Sequence, residues 1–265
     1  MRILNRTISI IQIPTKVAML ILVIFRAMML FKKPTRLLVH YIGSKPLSEK
    51  VVEFRDGRKI FLSSYLHDLI TIMVIFCKRE YGGIPAKGMV LDIGANIGVY
   101  SIFSILNGAN RVLAFEPNLE AYNILKKNIH ENGFDDSIIA VNLAVSDVDN
   151  AWVWIPVDSN PNNSIIDIKK NEKDGMVKVK TISLKSILFQ YNLTSVDLMK
   201  IDYEGAEYKF IEAGGIDSFN RIDRIRFEYH SGTDRLTNHL QKFGFSMLKY
   251  YPDNERVGRA FYYKK

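Results

Sequence analysis

VLDIGANIGVYS, residues 90–101, runs from an apolar strand through a glycine turn into a helix. That is the arrangement in which a helix N-terminus meets a nucleotide. Gly94 and Gly98 give the backbone room to turn tightly and approach a ligand closely. Twenty-two residues past Gly94, at the end of the next apolar stretch, stands Glu116, where a carboxylate can accept from ribose hydroxyls. Two details narrow the ligand. The spacing is G-x-N-x-G, with Asn96 in the middle, and Asp92 sits at the strand end. A carboxylate there repels a pyrophosphate and attracts the ammonium and sulfonium of S-adenosylmethionine.

Outward from this loop the pattern alternates. Apolar strands are expected at 89–93, 111–115, 138–145, 196–201 and 222–229, and helices at 97–106, 119–132, 184–191, 206–213 and 233–243. Further strands are expected at 152–155 and 177–181, and a closing hairpin from 245–251 and 258–263. Such alternation predicts an α/β fold, a mostly parallel sheet with helices on both faces and an antiparallel C-terminal edge. Upstream, Asp56-Gly57 between two apolar stretches signals a hairpin, and 68–77 a short helix. The chain divides into 1–48, a basic apolar segment; 49–87, a hairpin and helix; and 88–265, the alternating α/β domain that carries the glycine loop.

The blocks VLDIGANIGVYS, VLAFEPNLEAYNILKKNI, VNLAVSD, VKTISLKSIL, VDLMKIDYEGAE and IRFEYH together resemble the FkbM family of S-adenosylmethionine-dependent methyltransferases. The likeness covers roughly residues 51–250. It implies a Rossmann-like, seven-stranded class I methyltransferase fold with a reversed last strand, and transfer to an oxygen, often a hydroxyl of a sugar or another natural product. It implies that Asp92, Gly94, Asn96 and Gly98 surround the methionine part of the cofactor and that Glu116 holds the ribose. Adenine is expected near residues 144–147, with Asp147 as the nearby acid; a loop cap is the competing role for that residue.

A hydroxyl acceptor calls for a base near the methyl group, and in open parallel sheets such groups lie at the C-terminal strand ends. The fourth strand runs into KIDYEGAE, residues 200–207, and the fifth ends in Glu228-Tyr229-His230. Asp202 or His230 is the expected base, with Glu204 orienting the acceptor. Histidine has the proton affinity for the task. Glu207 reads as a favourable charge on the first turn of the next helix. No metal-ligand motif is evident. The polar stretch NPNNS, residues 160–164, reads as an ordinary turn. Trp152 and Trp154 read as one face of a half-buried strand.

The charge is concentrated at one end. Of 36 Lys and Arg against 28 Asp and Glu, eight cations and no acid fall within residues 1–48. The other 217 residues are neutral overall, which argues against a nucleic-acid partner. Residues 17–31, VAMLILVIFRAMMLF, are apolar except for Arg26. They fall short of the about 20 residues a span requires and lack a cleavage site. The two leading readings are peripheral contact with an anionic membrane surface and packing on the catalytic domain, with a true span or a cleaved, Arg-containing organelle presequence as the lesser alternatives. The single cysteine, Cys77, permits no intrachain disulfide and suits a reducing, cytoplasmic setting. The expected activity is O-methylation of a small-molecule, glycan or glycolipid acceptor. The competing functions are a non-catalytic cofactor-binding module recruited to membranes and a nicotinamide-dependent oxidoreductase.

Overall fold

The computed structural model describes all residues except 1, 4–5, 8–12, 64–65, 86, 157–174, 203–206, 255 and 265. The chain forms two compact units, Met1–Glu80 and Tyr81–Lys265.

In the first unit, the short strands Arg2–Ile3 (β1) and Arg6–Thr7 (β2) pair antiparallel. They precede helices Ile13–Leu30 (α1) and Pro34–Ile42 (α2). Pro34, in the first turn of α2, lacks the N–H needed to continue α1 and starts the new helix instead. Val51–Glu53 (β3) and Lys59–Phe61 (β4) form the hairpin expected from Asp56-Gly57, and Gly57 takes φ +94°. The helix expected over 68–77 is two pieces, Leu66–Ile72 (α3) and a π-helical turn, Met73–Lys78, ended by Arg79 at φ 57°. Phe54 packs tilted against Phe31 and edge-on against Phe76, at ring separations of 4.9 and 5.0 Å. Arg55 closes the end of α1, its backbone N–H on the Leu30 carbonyl and its Nε on that of Met28.

The second unit alternates strand and helix. Its elements are Met89–Ile93 (β5), Val99–Leu106 (α4), Arg111–Phe115 (β6), Leu119–Glu131 (α5), Ile138–Val141 (β7), Ala144–Ser146 (β8), Trp152–Pro156 (β9) and Met176–Ser183 (β10). Leu184–Gln190 (α6), Leu198–Ile201 (β11), Glu207–Ala213 (α7), Ile216–Phe219 (α8), Arg224–Tyr229 (β12), Asp234–Lys242 (α9), Phe245–Pro252 (β13) and Gly258–Lys264 (β14) complete it. Side-chain caps fix helix starts: Asn118 accepts from the Ala121 N–H, and Ser183 from that of Ser186.

The main sheet has the order β13-β14-β12-β11-β5-β6-β7. Neighbours from β12 to β7 are parallel, and β14 alone runs against them, inserted between β12 and β13. The order reverses at β5, so the crevice for a ligand opens beyond the C-terminal ends of β5 and β11. Buried Ile93, Phe115, Met199, Ile201 and Phe227 belong to the main core.

One expected strand is corrected. The stretch 138–145 breaks after Val141, and β8 leaves to join β10 and β9 in a separate three-stranded sheet. At the break, the Asn142 amide donates to the carbonyls of Glu116 and Pro117, both at 2.9 Å. A side chain there takes over the role of a strand neighbour.

Candidate active site

The crevice is floored by a charge cluster that the register of β5 and β11 creates. Asp92 and Lys200 are direct cross-strand partners, so their side chains share a face. Lys200 Nζ lies 3.2 Å from Asp92 Oδ1 and 3.5 Å from Asp202 Oδ2, and donates to the Gly94 carbonyl at 2.7 Å. Ser101 in α4 donates to Asp92 Oδ2 at 2.6 Å. Asp92 is fully buried, and the cation it meets is Lys200. The two neighbouring carboxylates hold the ammonium protonated, well above its ordinary range. A lysine in the otherwise apolar strand LMKI signals such a pairing, but its partner is visible only in the sheet register.

The loop wraps over this cluster. Gly94, Asn96 and Gly98 adopt φ of 74°, 49° and 87°. A Cβ at Gly94 would run into the Asp202 carbonyl, and one at Gly98 into Leu125. Glycine is therefore required at both places by neighbouring protein atoms as well as by φ. From the end of β6, Glu116 accepts from the Asn96 N–H at 2.7 Å and the Asn118 N–H at 2.8 Å. Burial pushes its carboxyl up to about 7, against the pull of those two N–H groups. Each carboxylate oxygen takes one backbone donor and has capacity for a second.

Asp202 and Glu228 meet through Tyr81. The phenol lies 3.4 Å from Asp202 Oδ2 and 3.2 Å from Glu228 Oε2. Tyr81 is buried, and desolvation followed by the two carboxylates raises its hydroxyl well above the usual range. The segment around Tyr81 is tied down by Arg226, which donates to the Gly83 carbonyl and, at 3.4 Å, to the Tyr100 hydroxyl. Nothing in the local sequence pattern marks Tyr81.

Beyond β12, His230 sits on Glu207. One carboxylate oxygen, Oε1, receives both the His230 backbone N–H at 3.1 Å and the ring Nδ1 at 3.0 Å. Glu207 is in the first turn of α7, as the sequence suggests, and is fully buried there, where it also holds His230. Of the other expected site residues, Glu204 and the stretch 160–164 lie outside the described residues. Asp147 is exposed beside β8, outside the main sheet, and accepts from the Ser146 hydroxyl at 2.8 Å. Among the described residues, no group of three or more His, Cys, Asp or Glu is placed to hold a metal ion.

Sheet order, the reversed last strand and the loop at the switch point define a Rossmann-like fold of the class I methyltransferase type. The chain belongs to the methyltransferase FkbM domain family, whose sequence model matches residues 92–247. Methyltransferase sdnD of Sordaria araneosa is 25% identical over 167 residues, covering 52% of this chain and 64% of its own length. Hexuronic acid methyltransferase AglP of Haloferax volcanii is 24% identical over 143 residues, covering 54% and 56%. The chain thus spans less than two thirds of the length of these curated relatives. Among solved structures, a protein in the NADB-Rossmann superfamily from Streptococcus agalactiae matches 71% of this chain and 66% of its own at 14% identity, with a TM-score of 0.46.

Proposed function

We propose that the protein is an S-adenosylmethionine-dependent methyltransferase acting on a hydroxyl of a sugar, glycolipid or other natural product. The residues present fit that cofactor. Glu116 has acceptor capacity for ribose hydroxyls, and the positive loop angles leave backbone at the crevice. Lys200, committed to Asp92, Asp202 and Gly94, is drawn away from any phosphate. Gly94, Asn96, Gly98 and Glu116 would hold the cofactor, with Asp92 supporting the loop from beneath through Ser101 and Lys200. Asp147 is the outlying member of this set. When bound, the cofactor supplies a methyl group on a sulfonium sulfur.

The observation that carries the catalytic half is the His230–Glu207 pair. Its carboxylate fixes Nδ1 as the protonated ring nitrogen in the neutral tautomer, which makes Nε2 the basic one. His230 takes the proton from the acceptor hydroxyl there, and Glu207 stabilises the imidazolium that forms. Asp202 is the second candidate base. Its contacts with Lys200 and the Tyr81 hydroxyl hold the carboxylate in place and suit it to orienting the acceptor, a role shared with Glu204. Peripheral membrane contact through residues 1–48 belongs to this reading, since it would bring the enzyme to a lipid-linked acceptor in a cytoplasmic setting.

Calorimetric titration with S-adenosylhomocysteine, and with NAD and NADP in parallel, tests the cofactor. Micromolar binding of the first alone is expected, and binding of a nicotinamide nucleotide instead would overturn the proposal. Methyl transfer to extracted glycolipids tests the rest, because a non-catalytic module would give none. His230→Gln is expected to lower kcat by about 10²–10⁴-fold while leaving S-adenosylhomocysteine affinity unchanged. Unaltered turnover would remove His230 as the base.

A further inference from the structure

α1 inverts the ordinary pattern of a surface helix. Its inward stripe is Val23, Arg26, Ala27 and Leu30, the spacing of one helical face. Val23 and Ala27 are buried, and Arg26 and Leu30 are half-buried. From residue 17 to 29, every position off that stripe is exposed and apolar, including Ile21, Phe25 and Met29 at 61%, 61% and 62% exposure. Arg26, the one charge in the apolar run, turns inward and donates to the Cys77 carbonyl at 2.7 Å, in the π-helical turn. The outward face therefore carries no charge from residue 17 to 29.

The width of this face says what covers it. A stripe spanning about 100° is turned inward, which leaves most of the helix circumference apolar and exposed. A second copy of the chain would cover one more stripe and leave the remainder in water. An acyl boundary solvates the whole of it. The surrounding charge selects the lipid: residues 1–48 contain no acid, and Lys32, Lys33 and Arg36 stand exposed just past the end of α1. Lys32 and Arg36 reach back to Glu53 and Glu49 and still keep 46% and 41% of their side chains accessible. Among the described residues no helix is long and apolar enough to cross a membrane.

We infer that α1 lies in the plane of an anionic lipid leaflet, its outward face in the acyl boundary and Lys32, Lys33 and Arg36 at headgroup phosphates. This rests on the membrane contact within the proposed function, and adds the face that enters the lipid, its orientation and the cations that meet the headgroups. Turning Arg26 inward is what makes the face continuous.

Co-sedimentation of the full chain with phosphatidylcholine vesicles, with and without about 30 mol% phosphatidylglycerol, tests it. Binding to the anionic vesicles is expected, with binding at least about tenfold weaker for Ile21→Glu/Phe25→Glu. Both residues are exposed, so the fold is expected to survive, and an unchanged helical circular-dichroism spectrum and urea midpoint for the variant would show that it has. Equal retention of wild type and variant would overturn the inference, as would failure of the wild type to bind any vesicle. A dimer seen by light scattering and dissociated by the same two substitutions would assign the face to a second copy and overturn it too. The cofactor titration reads the methyltransferase proposal independently: wild-type chain that binds vesicles but not S-adenosylhomocysteine would remove that proposal and leave the docking face.

Discussion

Residues 81–265 gather a cluster of buried polar groups at one end of a sheet, whereas residues 1–80 present a continuous run of exposed apolar ones along a single helix. The larger unit buries Asp92, Lys200, Glu116 and Glu207 at the C-terminal ends of its strands and the starts of the following elements. Each has a partner chosen by sheet register or by a neighbouring backbone N–H. The smaller unit leaves the apolar side chains of α1 exposed and hides the one charge among them. Buried ions cost free energy that packing alone does not return, and exposed apolar surface does the same in water. On the proposals above, the first pattern serves the methyl transfer and the second the lipid contact.

The sharpest way to break the comparison is to unpair the floor of the crevice. Lys200→Met leaves Asp92 buried against a thioether. Loss of one partner of a buried pair is expected to cost about 3–5 kcal/mol of unfolding free energy. Lys200→Met with Asp92→Asn should recover much of that, because the uncompensated charge is gone. Urea denaturation of the two variants measures the difference. Equal loss in both would mean that packing around Lys200, rather than its charge, holds the site.

Glu116 gives an effect of somewhat smaller size that depends on pH. Its folded value of about 7 lies above the unfolded value of 4.5 because burial disfavours the carboxylate. Such a group contributes its stability fully below about 4.5 and loses it as pH rises through about 7. Relative to Glu116→Gln, the wild type should therefore lose roughly 3 kcal/mol across that window. Cofactor binding runs the other way. Ribose hydroxyls need the ionised acceptor, so S-adenosylhomocysteine affinity should rise about tenfold from pH 6 to pH 8 and stay flat in Glu116→Gln. Calorimetry at the two pH values separates these outcomes. A flat wild-type profile would remove the ribose role.

What was legible in the chain follows from the range of the interactions involved. Short-range signals served well. The glycine loop, the Asp-Gly hairpin and the strand–helix alternation are set by residues a few positions apart, and β5, β6 and the C-terminal hairpin lie where the pattern puts them. The break after Val141 was not legible, because it depends on Asn142 reaching the carbonyls of residues 116 and 117. The same holds for the site. Asp92, Glu116, Asp202 and His230 could be picked out by their places at strand ends. Lys200 on Asp92, Tyr81 on Glu228 and Glu207 on His230 span 108, 147 and 23 residues, distances that only the sheet order brings together. The inward turn of Arg26 onto Cys77 is of that kind too.

The finest test of the comparison lies within two residues of α1. Val23 is 2% exposed and Ile21 is 61% exposed, though both are β-branched and apolar. Removing buried methyl groups at Val23→Ala should destabilise the chain by about 2 kcal/mol, through lost transfer energy and the gap left behind. Ile21→Ala removes more carbon from a side chain that touches little protein, and should shift unfolding by no more than about 0.5 kcal/mol in the absence of lipid. Thermal or urea denaturation without vesicles reads both. Destabilisation at Ile21 as large as that at Val23 would mean that the outward face is already covered by protein in solution. Stability that ignores Ile21 means its apolar surface has no partner within the folded chain, as a helix made to meet lipid requires.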